Sequence, residues 1–166
     1  TILTPQQFED AGGTGDWRAL NAGADAWFAT SSHRAGAGLV RRAAELAEAA
    51  GHHPDADLRR DGVHLRLFSH DVPELRSALH RHDVAAFTER DVALARGISA
   101  AAAELGLRAD PTAVQRLQVA IDATDTAALV PFWQAALRFD RDADDVLAEP
   151  LGRQPRLWFQ AMDAPR

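Results

Sequence analysis

Apolar positions recur along this chain with two periods, and the switches between them mark its elements. Leu39, Val40, Ala43, Leu46, Ala47 and Ala50 return at helical spacing. They predict an amphipathic helix from Ser31 or Ser32, either of which can cap it, to about Ala50, with Gly51 as its stop. Val63, Leu65 and Leu67 alternate with His64, Arg66 and Phe68, the period of a strand with one buried face. By the same alternation His70 continues the even-numbered face. Trp17–Leu20 and Asp25–Thr30 predict two further strands around a turn at 21–24. Pro5 suits the first position of a short N-terminal helix anchored by Phe8 and broken by Gly12, Gly13 and Gly15.

Pro73 to about His82 predicts a short helical insert with Leu75 and Leu79 on one side. Val92, Leu94, Ala95, Ile98, Ala102 and Leu105 predict another helix, capped by Thr88, with Glu89 and Asp91 in its first turn and Gly106 at its end. Residues 108–112, Arg-Ala-Asp-Pro-Thr, predict a linker between a first domain, 1–107, and a second, 113–166. In the second, Val114–Ile121 predicts a strand, Thr126–Leu137 a helix and Leu157–Met162 a closing strand.

Composition narrows the class. A chain of 166 residues, 46% hydrophobic, can bury one ordinary core or two small ones. It holds no run of about eighteen apolar residues and opens without a signal-peptide pattern, so no membrane role is expected. The absence of cysteine fits a cytoplasmic location. With net charge -6 and only isolated basic pairs, Arg41-Arg42 and Arg59-Arg60, nucleic-acid binding is not expected. Every basic residue is arginine and alanine is abundant, the signature of a GC-rich bacterial genome.

The candidate chemistry lies in histidines. His52-His53-Pro54 follows the first long helix, and Ser69-His70-Asp71 follows the strand. Imidazoles exchange protons near neutral pH without a metal. A doublet behind a helix C-terminus can also simply answer the negative end of the helix dipole. Glu48, with Glu45, Arg41 and Arg42, can likewise belong to surface ion pairs. His80-Arg81-His82 has ligand-like spacing, but positions i and i+2 of a helix do not share a face. His33 and His64 read as ordinary surface or half-buried residues.

Three separated motifs carry a family resemblance. Glu48 precedes His52-His53-Pro54 with three residues between, Ser69-His70-Asp71 ends a strand, and Thr88-Glu89-Arg90-Asp91 opens a helix. In order and most spacings, residues 17–107 resemble the pterin-4a-carbinolamine dehydratases (4a-hydroxytetrahydrobiopterin dehydratases). The resemblance implies a hydro-lyase that removes water from a 4a-hydroxytetrahydropterin with no metal or organic cofactor. It implies His52, His53 and His70 as the catalytic trio, with Glu48 and Asp71 supporting them. The pterin pocket would be lined by His52, His53, Pro54, Ser69, His70, Asp71 and Val72. Dimers or tetramers are implied as well. Two departures stand out: Arg60 and Asp61 occupy places where the family carries an aromatic residue, and Pro73–Phe87 is interposed before the last motif.

Leu117–Asp122, Phe132–Leu137 and Leu157–Gln160 resemble half of a glyoxalase-like (vicinal oxygen chelate) domain. Two such modules pair into a cup around a metal, which implies either a fragment of a longer protein or pairing with a copy from another subunit. Gln118 and Gln160 fall at or near the ligand places, and neutral amides are poor ligands for a divalent cation. An unpaired half would expose an apolar face containing Trp158 or Phe159, a second reason to expect a homo-oligomer. The expected architecture is α+β: an antiparallel sheet with helices packed on one face, followed by a β-α-β-β-β half module. The expected function is dehydration of a pterin-4a-carbinolamine. The alternatives are a non-catalytic pterin- or protein-binding assembly module and a fragment of a glyoxalase-like enzyme.

Overall fold

A computed structural model describes residues 2–20, 23–69, 87–142 and 144–164 of the chain. The polypeptide divides into two units, 1–115 and 116–166.

The first unit opens with β1 (Ile2–Leu3) and α1 (Pro5–Asp10), where Thr4 and Gln7 cap each other reciprocally. Then follow β2 (Arg18–Leu20), β3 (Gly23–Ala29), α2 (His33–Ala50), β4 (Asp55–Leu58), β5 (Gly62–Leu67), β6 (Phe87–Thr88), α3 (Glu89–Glu104) and β7 (Arg108–Ala109). The main sheet is antiparallel in the order β2-β3-β5-β4, and β7 shares an edge of β3 with β2. β1 pairs with β6 in a separate two-stranded ladder.

Alternation puts Ala24, Ala26 and Phe28 of β3 beside Val63, Leu65 and Leu67 of β5 on one face. Leu39 and Ala43 of α2 and Val92, Ala95, Ile98 and Ala102 of α3 close over that face to make the core. The other face carries Asp25, Trp27, His64 and Arg66. There the His64 Nε2 lies 2.7 Å from Asp25 Oδ1, which holds the buried carboxylate on a face that neither α2 nor α3 covers. The expected antiparallel sheet with helices on one side is what the chain forms.

The end of α2 has direct consequences for the site. Gly51 adopts φ +57, the left-handed conformation that glycine takes without strain. This lets its N–H reach Glu48 O while the His52 N–H reaches Ala47 O at 3.1 Å, the paired bonds of a Schellman motif. The backbone of His52 is thereby fixed by the helix it follows.

The second unit runs β8 (Gln118–Ala123), α4 (Thr126–Leu137), β9 (Asp140–Arg141), β10 (Leu147–Ala148) and β11 (Arg156–Ala161), the anticipated β-α-β-β-β order. Its sheet order is β8-β11-β10-β9, with β8 parallel to β11 and the other pairs antiparallel. Val130, Leu147 and Leu157 form a small core against which Ile121, Trp133, Phe139 and Phe159 pack.

Several expectations shift. The 108–112 linker begins as a strand, because Arg108 and Ala109 pair with Ala29 and Phe28. The opening strand of the second unit starts at Gln118 rather than Val114, since its ladder extends only as far as the six residues of β11. β4 was not anticipated: two aspartates in four residues are poor strand formers, and the hairpin with β5 imposes the conformation. Phe159 packs in the small core, whereas Phe132 on α4 is the exposed aromatic. The helix expected at Pro73–His82 lies outside the described residues. Among the described residues no helix is long and apolar enough to cross a membrane.

Trp27 lies across Gly62, so that a Cβ at this glycine would overlap the six-membered ring. Gly62→Ala should cost about 1–3 kcal/mol in denaturant unfolding. Adding Trp27→Leu should recover part of that loss.

Candidate active site

The site is built where three elements end. α2 delivers His52 through its Schellman turn, β5 delivers Ser69 just past its last residue, and α3 begins at Thr88. Asp91, the third residue of α3, sits among them with no exposed surface. Its Oδ1 lies 2.7 Å from His52 Nε2. Its Oδ2 accepts from Ser69 Oγ at 2.7 Å, from the Thr88 N–H at 2.7 Å and from Thr88 Oγ1 at 2.9 Å. One carboxylate therefore caps α3 and binds the imidazole and the hydroxyl arriving from the other two elements. Arg90 Nη2 adds a tie to Gly51 O at 2.6 Å, clamping the turn that precedes His52.

Burial by itself pushes the Asp91 carboxyl up. The hydrogen bonds from His52, Ser69 and the Thr88 N–H, together with the charge of His52, outweigh that effect and hold it below the usual aspartate range. An ionised carboxylate only accepts, so His52 Nε2 carries the hydrogen that faces Asp91.

The histidine doublet splits. His52 is buried, while the His53 side chain is 60% exposed, its Nε2 3.4 Å from Oε1 of the still more exposed Glu48. Pro54 is half-buried, and Ser69 is buried within the Asp91 network. His70, Asp71 and Val72 lie outside the described residues. Asp91 was missing from the expected site, where it figured only as a helix-opening acid. Its signal was available in the capping-box spacing of Thr88 and Asp91, which aims the carboxylate back at the helix start.

The family model for pterin 4 alpha carbinolamine dehydratase matches residues 1–101. The chain belongs to that family. A protein of Chloroflexus aurantiacus is 39% identical over 83 residues, covering 50% of this chain and 76% of its own length. One of Thermomicrobium roseum is 43% identical over 61 residues, covering 37% of this chain and 53% of its own. Both carry the name "Putative pterin-4-alpha-carbinolamine dehydratase". A crystal structure titled as a transcriptional coactivator/pterin dehydratase from Brucella melitensis aligns at TM-score 0.45 and 23% identity, over 60% of this chain and 97% of that one. Residues 118–166 match the model of a glyoxalase-like domain.

A glyoxalase-like module raises the question of a metal, and this one does not fit it. Gln118 is opposite Arg156 in the ladder, whereas Gln160 is opposite Asp122. The two amides are thus four residues apart along the strands, about 13 Å at roughly 3.3 Å per residue. Opposite Gln118 the ladder offers an arginine, which cannot ligate a cation. Among the described residues no group of three or more His, Asp or Glu is arranged to hold a metal ion.

Asp91→Asn should lower the unfolding free energy by about 1–3 kcal/mol at neutral pH, as expected for a buried carboxylate losing its hydrogen-bonding role. The folded-state pKa of Asp91 is depressed, so its contribution is complete above the ordinary aspartate range and disappears as pH falls through the lowered value. The difference between wild type and variant should therefore shrink below about pH 4. Denaturant titrations at a series of pH values check this.

Proposed function

We propose that the first unit dehydrates a 4a-hydroxytetrahydropterin by histidine acid–base catalysis. A proton delivered to the 4a-hydroxyl lets the C4a–O bond break and water leave. The proton on N5 is taken up as the N5=C4a double bond forms, giving the quinonoid dihydropterin. The pterin framework needs no redox change and no further reactant. His52, His53 and His70 divide the two proton transfers, and His52, His53, Pro54, Ser69, His70, Asp71 and Val72 line the pocket. Glu48 and Asp71 act as supporting carboxylates.

The buried His52–Asp91 pair is the observation that carries this reading. A carboxylate bound by four donors holds one imidazole tautomer, the condition for directional proton exchange. Asp91 thereby joins the site as a positioning residue. Glu48, within 3.4 Å of His53, is placed to do the same more loosely at the surface. The protein acts as a cytoplasmic homo-oligomer on a small-molecule pterin.

A second reading, pterin or protein binding without turnover, is favoured by one feature. The family's aromatic places are held by Arg60 and Asp61, and the Arg60 side chain is 93% exposed. Turnover distinguishes the two readings. Loss of synthetic 4a-hydroxytetrahydropterin should be accelerated by the wild type, and His52→Ala and His70→Ala should each reduce kcat/KM by about 10²–10⁴-fold. Asp91→Asn should reduce kcat and alter the pH profile. Pterin fluorescence quenching with no acceleration over buffer would establish the binding reading, and equal rates for wild type and His52→Ala would remove that imidazole from the chemistry.

A further inference from the structure

In the second unit, α4 does not match its surroundings. From Thr126 to Leu137 it contains no charged side chain, yet it uses only one side for packing. Val130 is buried against Leu147 and Leu157, with Trp133 at the margin. The opposite side turns Ala128, Phe132, Ala135 and Ala136 outward, and Phe132 is 61% exposed. A helix apolar all round is normally covered all round.

We propose that this side of α4 is covered by α4 of a second copy of the chain, packed antiparallel about a two-fold axis. A two-fold contact uses one patch twice, so the patch must map onto itself when reversed. On α4 the middle of the patch does so at the alanines, while Phe132 exchanges places with Pro131. Its midpoint falls between Pro131 and Phe132. Ala128 and Ala135 lie equally far on either side of that point, and so do Asp125 at the N-cap and Arg138 at the C-cap. Reversal sets Ala128 of one copy against Ala135 of the other and Asp125 against Arg138. The two Phe132 rings come side by side at the axis.

Opposite charges thus meet at both ends of the contact, each about 10 Å from the axis at roughly 1.5 Å rise per residue. Antiparallel helix dipoles favour the same arrangement. The alanines allow close approach, while Phe132, held edge-on by Trp133 at 5.4 Å between centroids, supplies the apolar area. One helix face per copy buries less than the about 1,200 Å² of a standard stable interface, so the contact is weak and concentration-dependent.

The chain contains no cysteine, so introduced thiols report this contact alone, whatever association the first unit makes. Two differently tagged full-length chains, one Ala128→Cys and one Ala135→Cys, are mixed and oxidised. The mixed pair should cross-link at least tenfold faster than either variant alone. Two copies of one variant place their thiols about 10 Å apart along the axis, beyond the roughly 7 Å Cα limit of a disulfide. Adding Phe132→Glu to both chains should abolish the cross-link while leaving the circular dichroism and melting temperature unchanged. The proposal is overturned if the mixture reacts no faster than Ala127→Cys on the flank, if either single variant matches the mixture, or if Phe132→Glu leaves the rate unaltered.

Discussion

One carboxylate governs the first unit. Asp91 has no exposed surface, and an ionised group in that position is tolerated only when its lone pairs are filled by well-placed donors. Those donors come from the start of α3, the turn after α2 and the end of β5. Satisfying Asp91 therefore fixes the mutual position of three chain segments far apart in sequence. The candidate site and a part of the fold's stability rest on the same atoms.

The first unit contains a second imidazole–carboxylate pair with the same 2.7 Å separation, His64 with Asp25. It lies within the strands, on the face away from α2 and α3, in a ladder that also holds Arg66 opposite Asp25 and Asp57 opposite His64. Such a pair is thus not sufficient to mark a site. His52 differs because it sits at the junction of helix and strand ends, where the chain changes direction and the backbone is not committed to a ladder. The residue beside it, His53, faces solvent near Glu48, so the doublet presents one buried ring and one exposed ring a single peptide apart.

Local patterns made most elements legible. The seryl cap, the Gly51 stop and the Thr88 cap stand where periodicity and capping rules place them, because each depends on contacts within a few residues. The β3 and β5 strands were readable from alternation. β4, the β1–β6 ladder and the pairing of Arg108–Ala109 were not, because each is stabilised by a partner strand rather than by its own residues. The site divided in the same way. His52 and Ser69 were visible as motif residues, whereas the role of Asp91 depends on a contact spanning 39 positions in the chain.

What the sequence determined alone was the kind of protein: periodicity, caps and three spaced motifs specify an α+β unit of the carbinolamine dehydratase family followed by a β-α-β-β-β module. Tertiary structure alone decided which imidazole of the His52-His53 doublet is buried, which carboxylate holds it, and which side of α4 is left uncovered. The reason is physical. Helix and turn preferences act over a few residues, but desolvation of a charge or an apolar face depends on what distant segments bring to it.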